Sequence, residues 1–514
     1  MLEIRNVHIT QNKDLKVLVE DLSFTLNPGE KAAIIGEEGN GKSTLLKWIY
    51  DPAMTEAYAH ITGERRLKGS KAGYLPQELS AAQRTLSVYT YMQEACALDE
   101  VSPKDLSKTA KRLKLPIDLF YSDQTMGTLS GGERVKLQLG ALLLSDCDVL
   151  LLDEPGNDLD LETLGFLEDF LQKTSQSVLY ISHDEVLLER TAQKILHLEQ
   201  VRRKTIPRCT VANMGYQAYM DSRQGRMEHQ RQQARFEQEA FEKKKERYLS
   251  IYNAVEHAQG AISRSDPSGG RLLKKKMHSV QSLGKRLEKE EANLTQLPEA
   301  EWAILPKWEP GISLPAGKVV LDFALPELKI GERVLARDIR LKVTGSRKVV
   351  ITGPNGCGKS TLLKAIWEAL QDREDIVPFY MPQNYGELLN QQERPQEFLC
   401  PKGDKEAVTR ARTYLGSMKY TTEEMEHPVQ ELSGGQKAKL LLLKMILNRA
   451  NVLVLDEPTR NFSPLSAPAV RTLLGDFPGC ILSVSHDRKF MEDVADTRLT
   501  LTETGLAAAL PREE

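Results

Sequence analysis

One ordered series of motifs runs through this chain twice at a fixed spacing. Leu129-Ser130-Gly131-Gly132-Glu133 recurs as Leu432-Ser433-Gly434-Gly435-Gln436, Leu152-Asp153-Glu154-Pro155 as Leu455-Asp456-Glu457-Pro458, and Ser182-His183-Asp184 as Ser485-His486-Asp487, each 303 residues on. A constant offset across three separated motifs is the mark of an internal duplication. It calls for two similar domains, and 514 residues exceed what a single core usually holds. Upstream the register slips: Lys42 and Lys359 lie 317 apart, Gln77 and Gln383 306 apart, so the first repeat carries extra residues between its glycine-rich loop and Ser130.

Those loops are Gly36-Glu37-Glu38-Gly39-Asn40-Gly41-Lys42-Ser43, followed by Thr44, and Gly353-Pro354-Asn355-Gly356-Cys357-Gly358-Lys359-Ser360, followed by Thr361. Glycines let backbone N–H groups curl round a phosphate, the lysine reaches the terminal phosphates, and the serine hydroxyl suits magnesium. A lone match is often an ordinary glycine turn. Here each follows an apolar strand-like run, 31–35 and 349–352, and precedes a helix-like one, which is the context the chemistry demands.

The apolar segments 149–152 and 452–455 read as buried parallel strands, each ending in an acidic pair at the carboxyl edge of a sheet, where ligands collect. Helical spacing over 133–144 and 436–447 offers Val135, Leu137, Leu139, Leu142 and Leu440, Leu443, Ile446 for burial. The fold class expected is α/β, in two copies. An isolated Asp-Glu pair is usually a solvated sheet-edge acid and an isolated histidine a surface one; membership of two matching series argues against both readings.

With 69 Lys+Arg against 72 Asp+Glu, overall charge names no partner. The six cysteines form no C-x-x-C pair, so no zinc site or disulfide framework is expected and a reducing cytoplasm fits. The first residues lack the apolar core of a signal peptide. The longest apolar run, 141–152, is interrupted by Asp146 and Asp148, well short of a membrane span.

Between the repeats the character changes. Residues 222–296 hold 16 Lys+Arg and 10 Asp+Glu, a net charge of +6 in a chain whose total is −3. The proline-free stretch 222–259 reads as one long helix, about 57 Å at 1.5 Å per residue. A breaker-rich loop near 261–270 follows, then a second helix with Leu273, Met277, Val280, Gly284 and Leu287 as a seam against Phe241, Tyr248, Tyr252 and Val255. An antiparallel helical hairpin, with coiled-coil character and a loop at its tip, results. Charge runs are often only solvating, but a cation excess with Lys243-Lys244-Lys245 and Lys274-Lys275-Lys276 suits a polyanion such as RNA.

Two such nucleotide-binding halves joined by a charged helical hairpin resemble the ABC-F proteins, cytoplasmic ATPases that act on the ribosome. Glu457-Pro458-Thr459-Arg460-Asn461-Phe462-Ser463-Pro464 is similar to the antibiotic-resistance branch, in which the usual Leu-Asp of this turn is replaced; the first half keeps it in Asn157-Asp158-Leu159-Asp160. Departures are Gly156 where threonine is usual and Glu133 where glutamine is common. The similar spacings from Gln77 to Ser130 and from Gln383 to Ser433 argue against an inserted ribosome-contacting arm.

The resemblance implies two tandem ATP-binding-cassette (P-loop NTPase) domains, 1–205 and 301–514, with a linker at 206–300. It implies ATP and Mg2+ as ligands, and head-to-tail closure that sets each glycine-rich loop against the other cassette's signature, Ser130, Gly131, Gly132, Glu133 or Ser433, Gly434, Gly435, Gln436. In that scheme Ser43, Asp153, Ser360 and Asp456 hold magnesium, with Gln77 and Gln383 sensing it. Glu154 and Glu457 activate water, and His183 and His486 steady the transferred phosphoryl group. It further implies a monomer with paired cassettes that binds rRNA and P-site tRNA near the tRNA exit and peptidyl-tRNA sites and displaces a large-subunit drug. A housekeeping translation factor and the ATP-binding subunit of an exporter are the rival readings; the turn at 460–464 separates the first, the basic hairpin the second. The stretches 11–20 and 329–340 contain no aromatic residue to stack adenine, so the base rests on resemblance alone.

Overall fold

The computed structural model describes residues 1–157, 159–201, 204–261, 267–295, 297, 307–308, 311–390, 392–401 and 405–508. It falls into two compact units, Met1–Tyr216 with Glu301–Glu514, and Gln217–Ala300.

Each half of the larger unit is built on a six-stranded sheet. In spatial order the first runs Ala72–Leu75, Val149–Asp153, Ser177–Ile181, Lys31–Ile35, Lys194–Val201, Ile206–Ala212, and only the last strand is antiparallel to its neighbour. The second repeats the order with Pro378–Met381, Val452–Asp456, Cys480–Val484, Lys348–Thr352, Thr497–Thr502 and Gly505–Ala508. Continuous runs such as Val-Leu-Leu-Leu of 149–152 belong in such a sheet, because helices cover both faces of a parallel strand and every position is buried. Even the register repeats: Leu151 pairs with Leu179 in one sheet and Val454 with Leu482 in the other, each 303 on.

This order positions the chemistry. The loop-bearing strand lies beside the one that leads into Ser182 or Ser485, and that strand lies beside the one that leads into the acidic pair. Glycine-rich loop, histidine and Asp-Glu therefore emerge side by side at the carboxyl edge of three neighbouring parallel strands.

A small antiparallel sheet flanks each large one. Among the described residues Leu2–Gln11, Val17–Leu26 and Ala59–Leu67 form it in the first cassette, and Val319–Ile330 and Arg333–Thr344 in the second. The third strand, Ala59–Leu67, lies between Lys42 and Gln77 and accounts physically for the slipped register there.

Two expectations need correction. A domain edge at 205 would cut between paired strands, because Ile206–Ala212 lies antiparallel on Lys194–Val201 with Leu198 opposite Cys209; the cassette runs on past it, and the smaller unit starts at Gln217. The breaker-rich segment is also shorter than expected. Helices span Tyr216–Ala261 and Pro267–Ala292, so Pro267, Ser268, Gly269 and Gly270 open the second helix, as proline with its preset φ can at a first helical turn. The rest of the expected tip loop, 262–266, lies outside the described residues.

Within the smaller unit the two helices are antiparallel. Lys244 pairs with Glu290, Lys245 Nζ lies 3.1 Å from Glu291, and Glu237 accepts from the Thr295 N–H at 2.8 Å. The seam holds Phe241, Val280 and Leu287, all buried. Gly284 admits Tyr248, since a Cβ there would stand 2.6 Å from the tyrosine oxygen. Gly284→Val should lower hairpin stability by about 1 kcal/mol through overpacking, and Tyr248→Ala in the same chain should recover part of it. Thermal melts of the two variants check this; equal melting of Gly284→Val and the parent would rule out the packing of Tyr248 on Gly284 as a source of stability.

Candidate functional site: two composite clefts

The two cassettes, both in the larger unit, face each other with loop against signature. A cavity of about 530 Å³ is lined by Asn355, Lys359, Ser360 and Gln383 of the second cassette and by Gly131 and Arg134 of the first. A second, of about 280 Å³, is lined by Glu37, Glu38 and Gly39 of the first and by Ser433, Gly435 and Gln436 of the second. The dimensions of the larger suit a nucleotide-sized ligand.

Each loop depends on its first glycine. Gly36 has φ 142° and Gly353 φ 149°, and a Cβ on Gly36 would sit 2.1 Å from the Leu198 carbonyl oxygen. Lys42 Nζ donates to the Gly36 and Glu37 carbonyls at 2.8 and 2.9 Å, and Lys359 Nζ to those of Gly353 and Pro354 at 2.9 and 2.8 Å. Asn40 donates to the Leu198 carbonyl at 2.9 Å, and the Cys357 thiol beside its loop is pushed up by burial. Gly41 and Gly358 cap the helices Lys42–Tyr50 and Lys359–Leu370, which carry Ser43, Thr44, Ser360 and Thr361 in their first turn. Both signature helices, Gly131–Leu144 and Gly434–Leu447, open on serine capping boxes, Ser130 with Glu133 and Ser433 with Gln436. A glutamate serves that box as well as a glutamine.

The acidic pairs differ. Glu154 and Glu457 both hold a left-handed backbone, φ 50° and 51°, an uncommon state for a residue with a side chain and one that concentrates at functional sites. Around Glu154 the network is closed: Gln77 Nε2 donates at 3.0 Å, Asn157 bonds the same carboxylate oxygen, and His183 Nε2 lies 3.2 Å from the other. His183 Nδ1 is also 3.0 Å from the Phe462 carbonyl of the other cassette, so both ring nitrogens face oxygen atoms, one on each side of the cassette boundary. Burial opposes ionisation of Glu154, but the bonds to His183 and the Lys42 charge outweigh it and hold the carboxyl at about 2. Asp153 is raised to about 6 by burial and the neighbouring Glu154, though it accepts from Ser43 at 3.0 Å and Tyr74 at 3.1 Å.

Glu457 has an open network. It accepts from the His486 backbone N–H at 3.2 Å and Ser485 at 3.4 Å, while its Oε1 and the His486 Nδ1 are buried without a hydrogen-bond partner, as is Asp456 Oδ1. Burial pushes Glu457 up to about 8 and His486 down to about 4. All three residues line the larger cavity. Unpartnered buried acceptors beside a lysine and a serine hydroxyl are a donor set short of a cation and its phosphates, and they fit magnesium with a nucleotide. Among the described residues no cluster of three His, Cys, Asp or Glu could hold a metal by itself.

The turns after the acidic pairs also diverge. Asp160 accepts from the backbone of Asn355, joining the first cassette's turn to the second loop. Its counterpart Ser463 bonds Ser466 at 2.8 Å, and Phe462 packs into the core of its own cassette. In place of that bridge Glu38 accepts from the Gly435 N–H at 2.8 Å, and Lys439 reaches Glu37 at 3.5 Å. The Phe462-Ser463 turn lines the same cleft as Glu37, Glu38 and Gly39 of the first loop, and the contacts between turn, loop and signature differ between the two clefts.

Sequence reasoning missed Tyr74, Arg134 and the cleft position of Arg460. Arg134 directly follows the signature and was open to the same pattern argument; Arg460, which lines the larger cavity, belongs to the turn already singled out. Nothing in the sequence around Tyr74 marks it, since only the sheet order brings that strand end to Asp153.

Comparison with known proteins accords with this geometry. The model of the family described as ABC transporter matches residues 19–157 and 336–460. The chain is 27% identical over 509 residues to the ribosome protection protein VmlR of Bacillus subtilis (strain 168), covering 96% of this chain and 86% of that one. It is 27% identical over 548 residues to the tylosin resistance ATP-binding protein TlrC of Streptomyces fradiae, covering 98% and 97%. With ABC transporter F family member 5 of Arabidopsis thaliana it shares 25% over 527 residues, 93% and 72%. Among solved structures, the archaeal ribosome recycling factor aABCE1 in complex with the stalk protein aP1 superposes with a TM-score of 0.56 over 98% of this chain and 90% of that one, a likeness of fold at 17% identity. With the family model matching both copies of the repeat, this chain belongs to the ABC transporter family, as an ATP-hydrolysing member with two cassettes and with similarity over more than nine tenths of its length to F-family and ribosome protection proteins.

Proposed function

We propose that the protein binds the ribosome near the tRNA exit and peptidyl-tRNA sites when ATP closes its cassettes, and that its hairpin then displaces a large-subunit antibiotic. The observation that carries this is the cationic hairpin inserted between two cassettes whose clefts are each built from both. Lys244 and Lys245 are committed to Glu290 and Glu291, whereas Lys274, Lys275 and Lys276 are exposed along the second helix and available to phosphates. Relatives named for ribosome protection and tylosin resistance favour drug displacement over housekeeping translation. Among the described residues no helix is long and apolar enough to cross a membrane. An exporter subunit, moreover, needs no RNA-like charge; the proposed site of action is the cytoplasm and the proposed state a monomer.

In this reading Lys42 and Lys359 hold the terminal phosphates, and Ser43 with Asp153 and Ser360 with Asp456 hold magnesium near Gln77 and Gln383. Bound there, the cation would neutralise charge on the phosphates. Glu154 and Glu457 orient and deprotonate water, with His183 and His486 beside them, and the signature amides of Gly131, Gly132, Gly434 and Gly435 complete the opposite wall.

If the exposed lysines neutralise rRNA phosphates, ATP-dependent co-sedimentation with ribosomes should weaken steeply with salt. Changing Lys274, Lys275 and Lys276 to Ala should flatten the log–log slope by about 1 for each phosphate that is no longer neutralised. An unchanged slope would exclude these lysines from the RNA interface. The deciding assay is membrane-free cell-free translation inhibited by a large-subunit drug. Wild type should rescue it, and a chain shortened over 262–269 should not; no rescue for any such drug, with no ribosome binding, would defeat the proposal.

A further inference from the structure

The face on which the two cassettes abut, apart from the clefts, carries an inverted set of charges. Residues related by the 303 offset are Glu168 and Arg471, Glu185 and Arg488, and Arg190 and Asp493: at all three positions the sign is opposite in the two repeats. Between cassettes Arg471 grips Glu185 in a bidentate pair at 2.6 and 3.2 Å, and Arg488 contacts Glu168 and, at 2.9 Å, Asp184. Within each cassette the third member backs the first, Arg190 on Glu168 at 2.6 Å and Asp493 on Arg471 at 2.7 Å. The two cross-cassette pairs are one pair related by the pseudo-twofold of the duplication. All four side chains are at most 10% exposed.

We infer that this inversion is a pairing code, admitting a first cassette against a second and rejecting like against like. The inference rests on the reading that closed cassettes build the ATP sites. If two first cassettes met through this face, Glu168 would oppose Glu185 at both pseudo-equivalent places; if two second cassettes met, Arg471 would oppose Arg488. A self-complementary surface is what duplicated domains inherit, because the same patch meets itself across a twofold. Here two buried ion pairs become two buried like-charge contacts, a repulsive element of the kind that sets specificity. The sign is unchanged at Asp184 and Asp487 and at Glu189 and Glu492; across the face Arg488 also pairs with Asp184 at 2.9 Å and Lys489 with Glu189 at 3.4 Å. The face therefore fits one partner, the other cassette, and discourages assembly of separate chains through identical halves.

The test transplants the triplets in the full chain. Glu168→Arg with Glu185→Arg and Arg190→Asp makes both cassettes basic on this face; Arg471→Glu with Arg488→Glu and Asp493→Arg makes both acidic. Each triple variant alone should lose about tenfold or more of ATP hydrolysis. Mixed together they should form a two-chain species by mass photometry and regain activity, and the sixfold exchange in one chain should regain it as a monomer. Where a triple variant fails to fold by circular dichroism, Glu185→Arg, Arg471→Glu and their combination pose the same question. Wild-type activity in either triple variant, or an exchanged chain that folds yet stays as inactive as its parents, would overturn the code. A wild-type chain that hydrolyses no ATP would instead strike the proposed function, while the mass of the mixed variants would still decide the pairing.

Discussion

Replacing Glu154 and Glu457 together by Gln should reduce ATP hydrolysis by about a hundredfold or more, a barrier increase of about 2.7 kcal/mol, while leaving ATP binding intact. Each glutamate directly follows a buried strand at a left-handed φ, Glu457 lining the larger cavity and Glu154 a separate pocket with Gln77, Asn157 and Arg134, and glutamine keeps the shape while losing the base. Binding should survive because Lys42, Lys359 and the loop amides are untouched. The doubly substituted protein should then accumulate on ribosomes. Hydrolysis at the parent rate would remove both residues from the role of water activators. Single variants should not be equivalent: Glu154 is held by Gln77, Asn157 and His183, whereas Glu457 has backbone and hydroxyl donors and an unpartnered oxygen. Identical turnover in the two single variants would contradict that inequality.

Where the chain is periodic or repeated, the sequence carried the structure. Strands 149–153 and 452–456 were legible because continuous apolar runs have one place to go in a parallel sheet, and the loops because glycine spacing reflects backbone that no side chain can replace. The composite clefts were legible only through the family resemblance, since no local pattern says that Gly131 should face Lys359. What could not be read was pairing at a distance. The strand 206–212 looked like linker because its partner lies across a turn and its half-exposed face weakens the pattern. The charge inversion escaped because each residue alone looks like an ordinary helix-surface charge; it becomes visible only when the 303 offset is applied to side chains that the fold buries together. Nor does the loop pattern say that Glu37 and Glu38 meet the opposite signature helix through Lys439 and Gly435, because that contact exists only once the cassettes are packed together.

The two glutamates should also separate in pH. Glu457 is raised from 4.5 to about 8 by burial, so the folded protein holds a proton there that the unfolded chain releases. The stabilisation is full below pH 4.5 and is lost as pH rises through 8. Glu154 runs the other way: with its carboxyl held at about 2, its contribution is present above pH 4.5 and lost as pH falls towards 2. His486, depressed to about 4 from 6.5, likewise favours the fold above pH 6.5. Asp153, raised to about 6, has lost its contribution above that pH. Of these, only Glu457 changes between pH 6.5 and 8, and at about 1.36 kcal/mol per unit it should cost the nucleotide-free protein about 2 kcal/mol over that interval. In a cassette of some 200 residues that is several degrees of melting temperature. Glu457→Gln, which cannot titrate, should melt at nearly the same temperature at both ends of the interval, and Glu154→Gln should fall as the parent does. A parent melting temperature that does not move from pH 6.5 to 8, or an equal fall in Glu457→Gln, would show that the carboxyl at the larger cavity is already ionised and that burial does not set its charge.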